Sequence, residues 1–219
     1  MRYRSQCLRV IRAGRIQMTC VVLIGMSLTL MAAGAVTPME ALKSSIDQVV
    51  RLLEDPELKQ ADRTVERRRQ LEKIIGDRFS YEEMAKRSLG AHWNKLNKTQ
   101  RQEFVKLFQQ LLIRSYTGRI EGYSGERIQF LSERHDGDYA EVRSNLLSRK
   151  GDIPVDYRLL NKSGDWRVYD IVVDGISLAQ NYRGQFTNII RTSSYEDLVE
   201  KLRNKSETFK PANADDRSK

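Results

Sequence analysis

An α+β fold, a four-stranded antiparallel sheet covered by helices, is predicted by three features of the chain. Apolar residues recur three and four apart as far as Gly122, alternate with period two between Ile128 and Val173, and return to helical spacing at Ile176. Consecutive strands with short connections pair as an antiparallel meander, and a sheet with one apolar face needs a helical cover.

Residues 1–35 stand apart from that fold. Arg2, Arg4, Arg9, Arg12 and Arg15 are followed by the apolar run CVVLIGMSLTLMAAGA, and Ala33-Gly34-Ala35 supplies the small residues of a cleavage site, so a signal peptide over 1–35 is expected. The competing reading is an uncleaved inner-membrane anchor, but the run from Cys20 to Ala35 is short of the roughly 20 apolar residues that span a bilayer. Either reading puts the folded part outside the cytoplasm. Cys7 and Cys20 both fall in this segment, leaving no disulfide and no thiol nucleophile for the rest. The net charge of +9 shrinks with it: five arginines fewer leaves 33 basic against 29 acidic residues. So small an excess speaks against nucleic acid as the partner.

From Val36 a single α+β domain is expected, with a helical part over 36–122, the sheet over 123–174 and C-terminal helices over 175–210. Residues 211–219 form a polar tail expected to be disordered. Pro38 starts a helix carrying Leu42, Ile46, Val49, Val50 and Leu53, and Asp55-Pro56 stops it. A second helix runs from about Val65, with Leu71, Ile74 and Ile75 on one side and a solvated arginine run, Arg67 to Arg69, on the other. Ser80 with Glu83 reads as a capping box, with Phe79 as staple to Met84, and Gly90 ends that third helix ahead of the anchor Trp93. Thr99 with Gln102 reads as a second box opening the longest helix. Phe104, Leu107, Phe108, Leu111, Leu112, Ser115, Tyr116 and Ile120 give it a wide apolar face, suited to a central core helix or to one wall of an apolar cavity.

Ile128 and Phe130 mark the first strand, and Tyr139, Val142, Leu146 and Leu147 the second, across the Asp136-Gly137 turn. Ile153, Val155, Tyr157 and Leu159 make the third; Trp166, Val168, Ile171, Val172 and Val173 make the fourth, ended by Asp174-Gly175. The stripe Ile176, Ala179, Tyr182, Phe186, Ile189 and Ile190 then forms a helix expected to lie on the sheet, and a last helix from about Ser194 carries Leu198 and Leu202.

Catalytic patterns are missing: no HExxH, CxxC, GxSxG, GxGxxG or P-loop occurs, and no enzyme activity is expected. His92 and His135 are in no metal-ligand spacing, and His135-Asp136-Gly137-Asp138 reads as a hairpin turn rather than a calcium loop. Ser177 lacks a nucleophile elbow and suits a helix cap. Asp170, in a strand with bulk on both faces, requires a partner. Arg183 could face it, in a network tying helix to sheet, or could line a pocket rim with Tyr182.

The block from Trp166 to Phe186, WRVYDIVVDGISLAQNYRGQF, resembles the toluene-tolerance family of exported phospholipid-binding proteins, the periplasmic shuttles of the Mla lipid-transport pathway. Phe79, Tyr81, Met84, Leu89-Gly90, Trp93, Gln100-Arg101, Phe104, Phe108, Tyr116 and Ile153 to Tyr157 agree with it, although Tyr81 stands where phenylalanine is more usual. The resemblance implies a curved sheet similar to nuclear transport factor 2, with an apolar cavity between sheet and helices. It implies a carrier in the periplasm that maintains outer-membrane lipid asymmetry and binds phospholipid as cargo, with no cofactor and no metal. The implied partners are an inner-membrane ABC transporter complex with its membrane-anchored substrate-binding subunit, and an outer-membrane lipoprotein complex. The cavity is then expected to be lined by Trp93, Phe104, Leu107, Phe108, Leu111, Leu112 and Tyr116, by Val142, Val155, Tyr157 and Val168, and by Ile176, Ala179, Tyr182 and Phe186. Asp170, Ser177 and Arg183 are expected at its rim or in a helix-sheet network. A structural or adaptor protein without lipid cargo is the alternative.

Overall fold

The computed structural model describes residues 36–149, 151–204 and 209, all within the compact unit that begins at Ala35. The expected signal segment and the tail 211–219 lie outside the described residues. Four helices come first: α1 (Pro38–Glu54), α2 (Thr64–Arg78), α3 (Tyr81–Leu89) and α4 (Lys98–Glu121). Five strands follow, β1 (Arg127–Asp136), β2 (Tyr139–Leu147), β3 (Ile153–Lys162), β4 (Asp165–Val173) and β5 (Ile176–Ser177), paired antiparallel in sequence order. The chain closes with α5 (Leu178–Thr192) and α6 (Tyr195–Arg203), and beyond them Phe209 packs edge-on against Phe186, ring centroids 5.6 Å apart.

The fifth strand corrects the expectation of four. Asp174 and Gly175 both take positive φ, 48° and 78°, which is the two-residue turn whose twist matches a tight hairpin, so the chain doubles back and pairs Ile176 with Val173. Ser163 and Gly164 make the same kind of turn between β3 and β4. Ile176 is therefore strand, and α5 starts at Leu178 with Ser177 as its cap, Oγ accepting from the Gln180 N–H at 3.1 Å.

Two helix starts also differ from expectation. Ser80 makes no cap bond; its N–H donates to the Val168 carbonyl at 2.8 Å, and Phe79 bridges to Val168, so attachment to the sheet holds this backbone instead. Glu83 meanwhile pairs with Lys86 and Arg87. The long helix opens two residues before Thr99: Asn97 accepts from the Gln100 N–H at 3.0 Å, and the Gln100 side chain reaches back to the Asn97 N–H at 3.0 Å. Of the arginine run, Arg68 and Arg69 are solvated, on Glu121 and Glu66, whereas Arg67 turns partly inward against Glu121.

The helix that covers the sheet is α1, not α5. Ala41 and Leu42 of α1 share a core cluster with Ala140, Val142, Leu159, Trp166 and Val168. Alanine lets the helix axis come close to the sheet, and α1 is tied down at its start and near its middle. Glu133 accepts the Met39 N–H at 2.8 Å, a carboxylate at the positive end of the helix, and Arg78 joins Ser45 Oγ (2.8 Å) to the Trp166 carbonyl (2.6 Å). With its face already occupied by α1, the sheet leaves the α5 stripe to pack among helices, in a second cluster with α3, α4 and α6.

Candidate functional site

Pairing puts the apolar face of the sheet in rows. Ala140, Leu159 and Val168 form one; Val142, Tyr157 and Ile171 the next; then Val155, Val173 and Ile176; and last Ile128, Leu146 and Ile153. Toward the β1–β2 and β3–β4 turns the rows are sealed: Val142, Leu159 and Val168 have no exposed surface. Toward the other end the seal fails, and Ile128, Phe130, Leu146, Ile153, Ile171, Val173 and Ile176 are only half-buried. Full burial of such a side chain stabilises by about 1.5–3 kcal/mol, so a contiguous strip left half-covered forgoes several kcal/mol.

The expected cavity residues divide between two cores. Trp93, Phe104, Leu107, Phe108, Leu111, Leu112, Ala179, Tyr182 and Phe186 are buried together among the helices, with Tyr116 and Ile176 half-buried against them. The rings of Phe108, Tyr182 and Phe186 interlock edge-to-face and stacked at 5.4–5.7 Å, which is well-packed core. Val142, Val155, Tyr157 and Val168 belong to the sheet cluster instead. Phe79 and Ile171 pack against both clusters and mark where they meet. Tyr157 is 9% exposed, burial pushes its phenol up to about 12, and its hydroxyl has no hydrogen-bond partner among the described residues.

Sequence reasoning missed Ile128, Phe130, Leu146, Ile153, Ile171 and Val173 as a set, although counting register back from the two turns aligns most of them. What such counting cannot supply is the bulge in β4. From the Ser163-Gly164 turn, regular pairing would set Tyr157 opposite Asp170 and bring a carboxylate onto the apolar face; the extra residue Tyr169 shifts the register, so Ile171 faces Tyr157 and Asp170 faces Arg158 on the opposite side. The signal is in the sequence, because apolar parity changes from Trp166 and Val168 to Ile171 and Val173. A similar bulge in β1 leaves Leu131 more than half exposed.

Asp170 is 2% exposed and fully engaged. One carboxylate oxygen accepts from Ser177 Oγ at 2.6 Å and Arg158 Nη1 at 3.1 Å, and the other from the Ala179 N–H at 3.0 Å. The expected network between sheet and helix therefore exists, with Arg158 rather than Arg183 as its cation. Arg183 is exposed and lies against Gly90; Tyr182, beside it in sequence, is wholly buried and reaches Ser115 Oγ at 3.5 Å, so it is no rim residue. Among the described residues no group of His, Cys, Asp or Glu could hold a metal ion, and no helix is long and apolar enough to cross a membrane.

The fold is thus a helical part packed beside a five-stranded antiparallel sheet whose apolar face is partly covered. The family described as MlaC protein matches residues 43–204, and the chain belongs to that family. It is similar to the intermembrane phospholipid transport system binding protein MlaC of Haemophilus influenzae, 30% identical over 52% of this chain and 56% of that one. It is also similar to the toluene tolerance protein ttg2D of Pseudomonas putida, 26% identical over 55% of this chain and 58% of the relative. The matched stretch thus spans a little over half the length of these curated relatives. Among solved structures, the phospholipid-binding protein from Ralstonia solanacearum, in complex with a phospholipid, superposes with a TM-score of 0.66 at 25% identity, covering 75% of this chain and 93% of that one.

Proposed function

We propose that the protein is a periplasmic phospholipid carrier that holds acyl chains over the half-covered rows of the sheet and shuttles lipid between outer- and inner-membrane complexes, maintaining outer-membrane lipid asymmetry. The observation that carries it is the strip itself, Ile128 to Ile176, left open in a chain whose family includes a relative solved with a phospholipid. Diffusion of a free diacyl lipid through water is negligible: roughly 30 methylenes at about 0.8 kcal/mol each amount to more than 20 kcal/mol. A carrier offers the tails a third apolar environment, and since both membranes bury them equally well, only the small difference between pocket and bilayer governs loading and release.

Within this reading the strip and Tyr157 contact the cargo, while the Phe104 to Phe186 ring cluster backs it as a rigid wall. The inner-membrane partner is an ABC transporter complex with a membrane-anchored substrate-binding subunit, and the outer-membrane partner a lipoprotein complex. The chain needs no catalytic group for this task, since no bond is made or broken. Lipid extraction and native mass spectrometry of protein purified without detergent test the reading. Phospholipid at a fixed stoichiometry is expected; protein that is lipid-free and takes up none from vesicles overturns it in favour of an adaptor role.

A further inference from the structure

The opposite face of the sheet carries a cleft of about 410 Å³, walled by α3, the 3-10 turn that follows it (Gly90–Lys95), the start of α5 and the outer side of β3 and β4. Lys86, Arg87, Arg158 and Arg183 line it against Glu83 and Asp170, a surplus of two positive charges. Both carboxylates are already engaged. Asp170 holds Arg158, and Glu83 lies 3.0 Å from Arg87 and 3.5 Å from Lys86.

Arg183 is different. It is exposed, and among the described residues it has neither ion pair nor hydrogen bond. Its guanidinium is nonetheless placed: a Cβ on Gly90 would lie 2.7–2.9 Å from it, and Gly90 has φ +56°, a conformation that favours glycine. Glycine thus ends α3 and also leaves room for the guanidinium against the negative end of that helix. Beside it, the Arg87 guanidinium lies 4.0 Å from the centre of the Tyr169 ring, and Tyr139, 42% exposed, meets Tyr169 edge-on at 5.9 Å.

We propose that this cleft is a docking pocket for an acidic side chain of a partner protein, with Arg183 as the fork that grips it. A carboxylate suits the pocket better than a phosphate. A planar monoanion matches one free guanidinium through two parallel hydrogen bonds, whereas a doubly charged phosphate would sit against Glu83 and Asp170 with only Arg183 uncommitted. Exposed tyrosine and arginine around a buried tryptophan, Trp93, are the residue types that anchor protein interfaces. The pocket lies on the other side of the sheet from the proposed lipid strip, so the two can be occupied together, and this assignment does not rest on lipid carriage.

The test is an NMR titration of the purified protein with acetyl-Gly-Glu-Gly-amide, the glutamine version of that peptide, and inorganic phosphate. Binding of the glutamate peptide is expected to move the Gly90 and Gln180 amides and the Arg183 Nε–H. It should be about tenfold weaker or lost for the glutamine peptide and in Arg183→Gln, and partly kept in Arg183→Lys. Arg183 is exposed, so the spectra of the variants away from the cleft should overlay that of the parent, and bound lipid should be unchanged. Equal shifts with both peptides, no shifts at all, or full binding by Arg183→Gln overturns the proposal, as does phosphate displacing the glutamate peptide at concentrations below those of the peptide itself.

Discussion

The two cores are built from similar residues and finished differently. In the helical cluster, Phe104, Phe108, Tyr182 and Phe186 lose all exposure because each ring closes on another. In the sheet cluster the face is as apolar, but α1 covers only the rows near the turns, and those from Val155 to Ile153 stay open at one end. Rings that saturate each other's surface leave nothing for a ligand; aliphatic rows under a partial cover do. The widest apolar helix in the sequence, α4, therefore belongs to the closed core, and the strip with unspent surface comes from the plainer strands.

The contrast can be broken by substitution. The largest effect is expected for Phe108→Ala or Phe186→Ala, which empties a ring site in the closed cluster and should cost about 3–5 kcal/mol in urea unfolding, with lipid per folded molecule little changed. Asp170→Ala comes next, at about 1–3 kcal/mol, because it strands the Ala179 N–H and the Ser177 hydroxyl at the junction of sheet and helix, while Arg158 keeps Glu141 nearby. A double change in the open rows, Leu146→Gln with Ile153→Gln, should cost about 1 kcal/mol or less, yet lower extracted phospholipid several-fold. Wild-type lipid content in that variant, together with a loss in Phe108→Ala, would reverse the assignment of the two regions.

A smaller effect tests the sheet face by pH. Burial raises the Tyr157 phenol to about 12, from about 10 in the unfolded chain. The folded form keeps a proton that the unfolded form gives up, so the contribution is fully present below pH 10 and lost as pH climbs to 12. Tyr81 and Tyr195, also raised to about 12, add to the same loss. Tyr157→Phe should flatten the slope between pH 10 and 12, read as the urea midpoint. The smallest expected change is Glu121→Gln, at about 1 kcal/mol or less, since Arg68, one of its two partners, is solvent-exposed.

Four strands and the Asp136-Gly137 turn were legible because period-two alternation and turn residues act within a few residues of one another, whereas Asp174-Gly175 was legible only as a strand end and not as the turn into a fifth strand. Gly90 as the end of α3 and Ser177 as a cap were legible for the same reason. Choices between equally good local partners were not. Ser80 satisfies the pattern of a capping box, but its N–H is bound to Val168, which lies far along the chain. Likewise α1 and α5 both carry an apolar stripe, and nothing local says which one the sheet takes. In the site, apolar residue types were readable but their division into sealed and open was not, because coverage depends on where α1 stops. Asp170 was rightly marked as needing a partner, and its cation was misjudged because the bulge at Tyr169 moves it opposite Arg158.

That bulge also constrains how the gene can change. With Tyr169 bulged out, the odd-numbered half of β4 shares its apolar face with the even-numbered half. Deleting Tyr169 would give a regular ladder that keeps Ile171 opposite Tyr157 and Asp170 opposite Arg158, whereas pairing β4 without the bulge at its present length would send Ile171 and Val173 to the outer face. One-residue deletions are therefore expected to be tolerated at the 148–152 turn and at Tyr169 but not at Val172, where Val173 would turn to the outer face, and a library of such deletions scored for secreted, lipid-loaded protein would trace that boundary residue by residue.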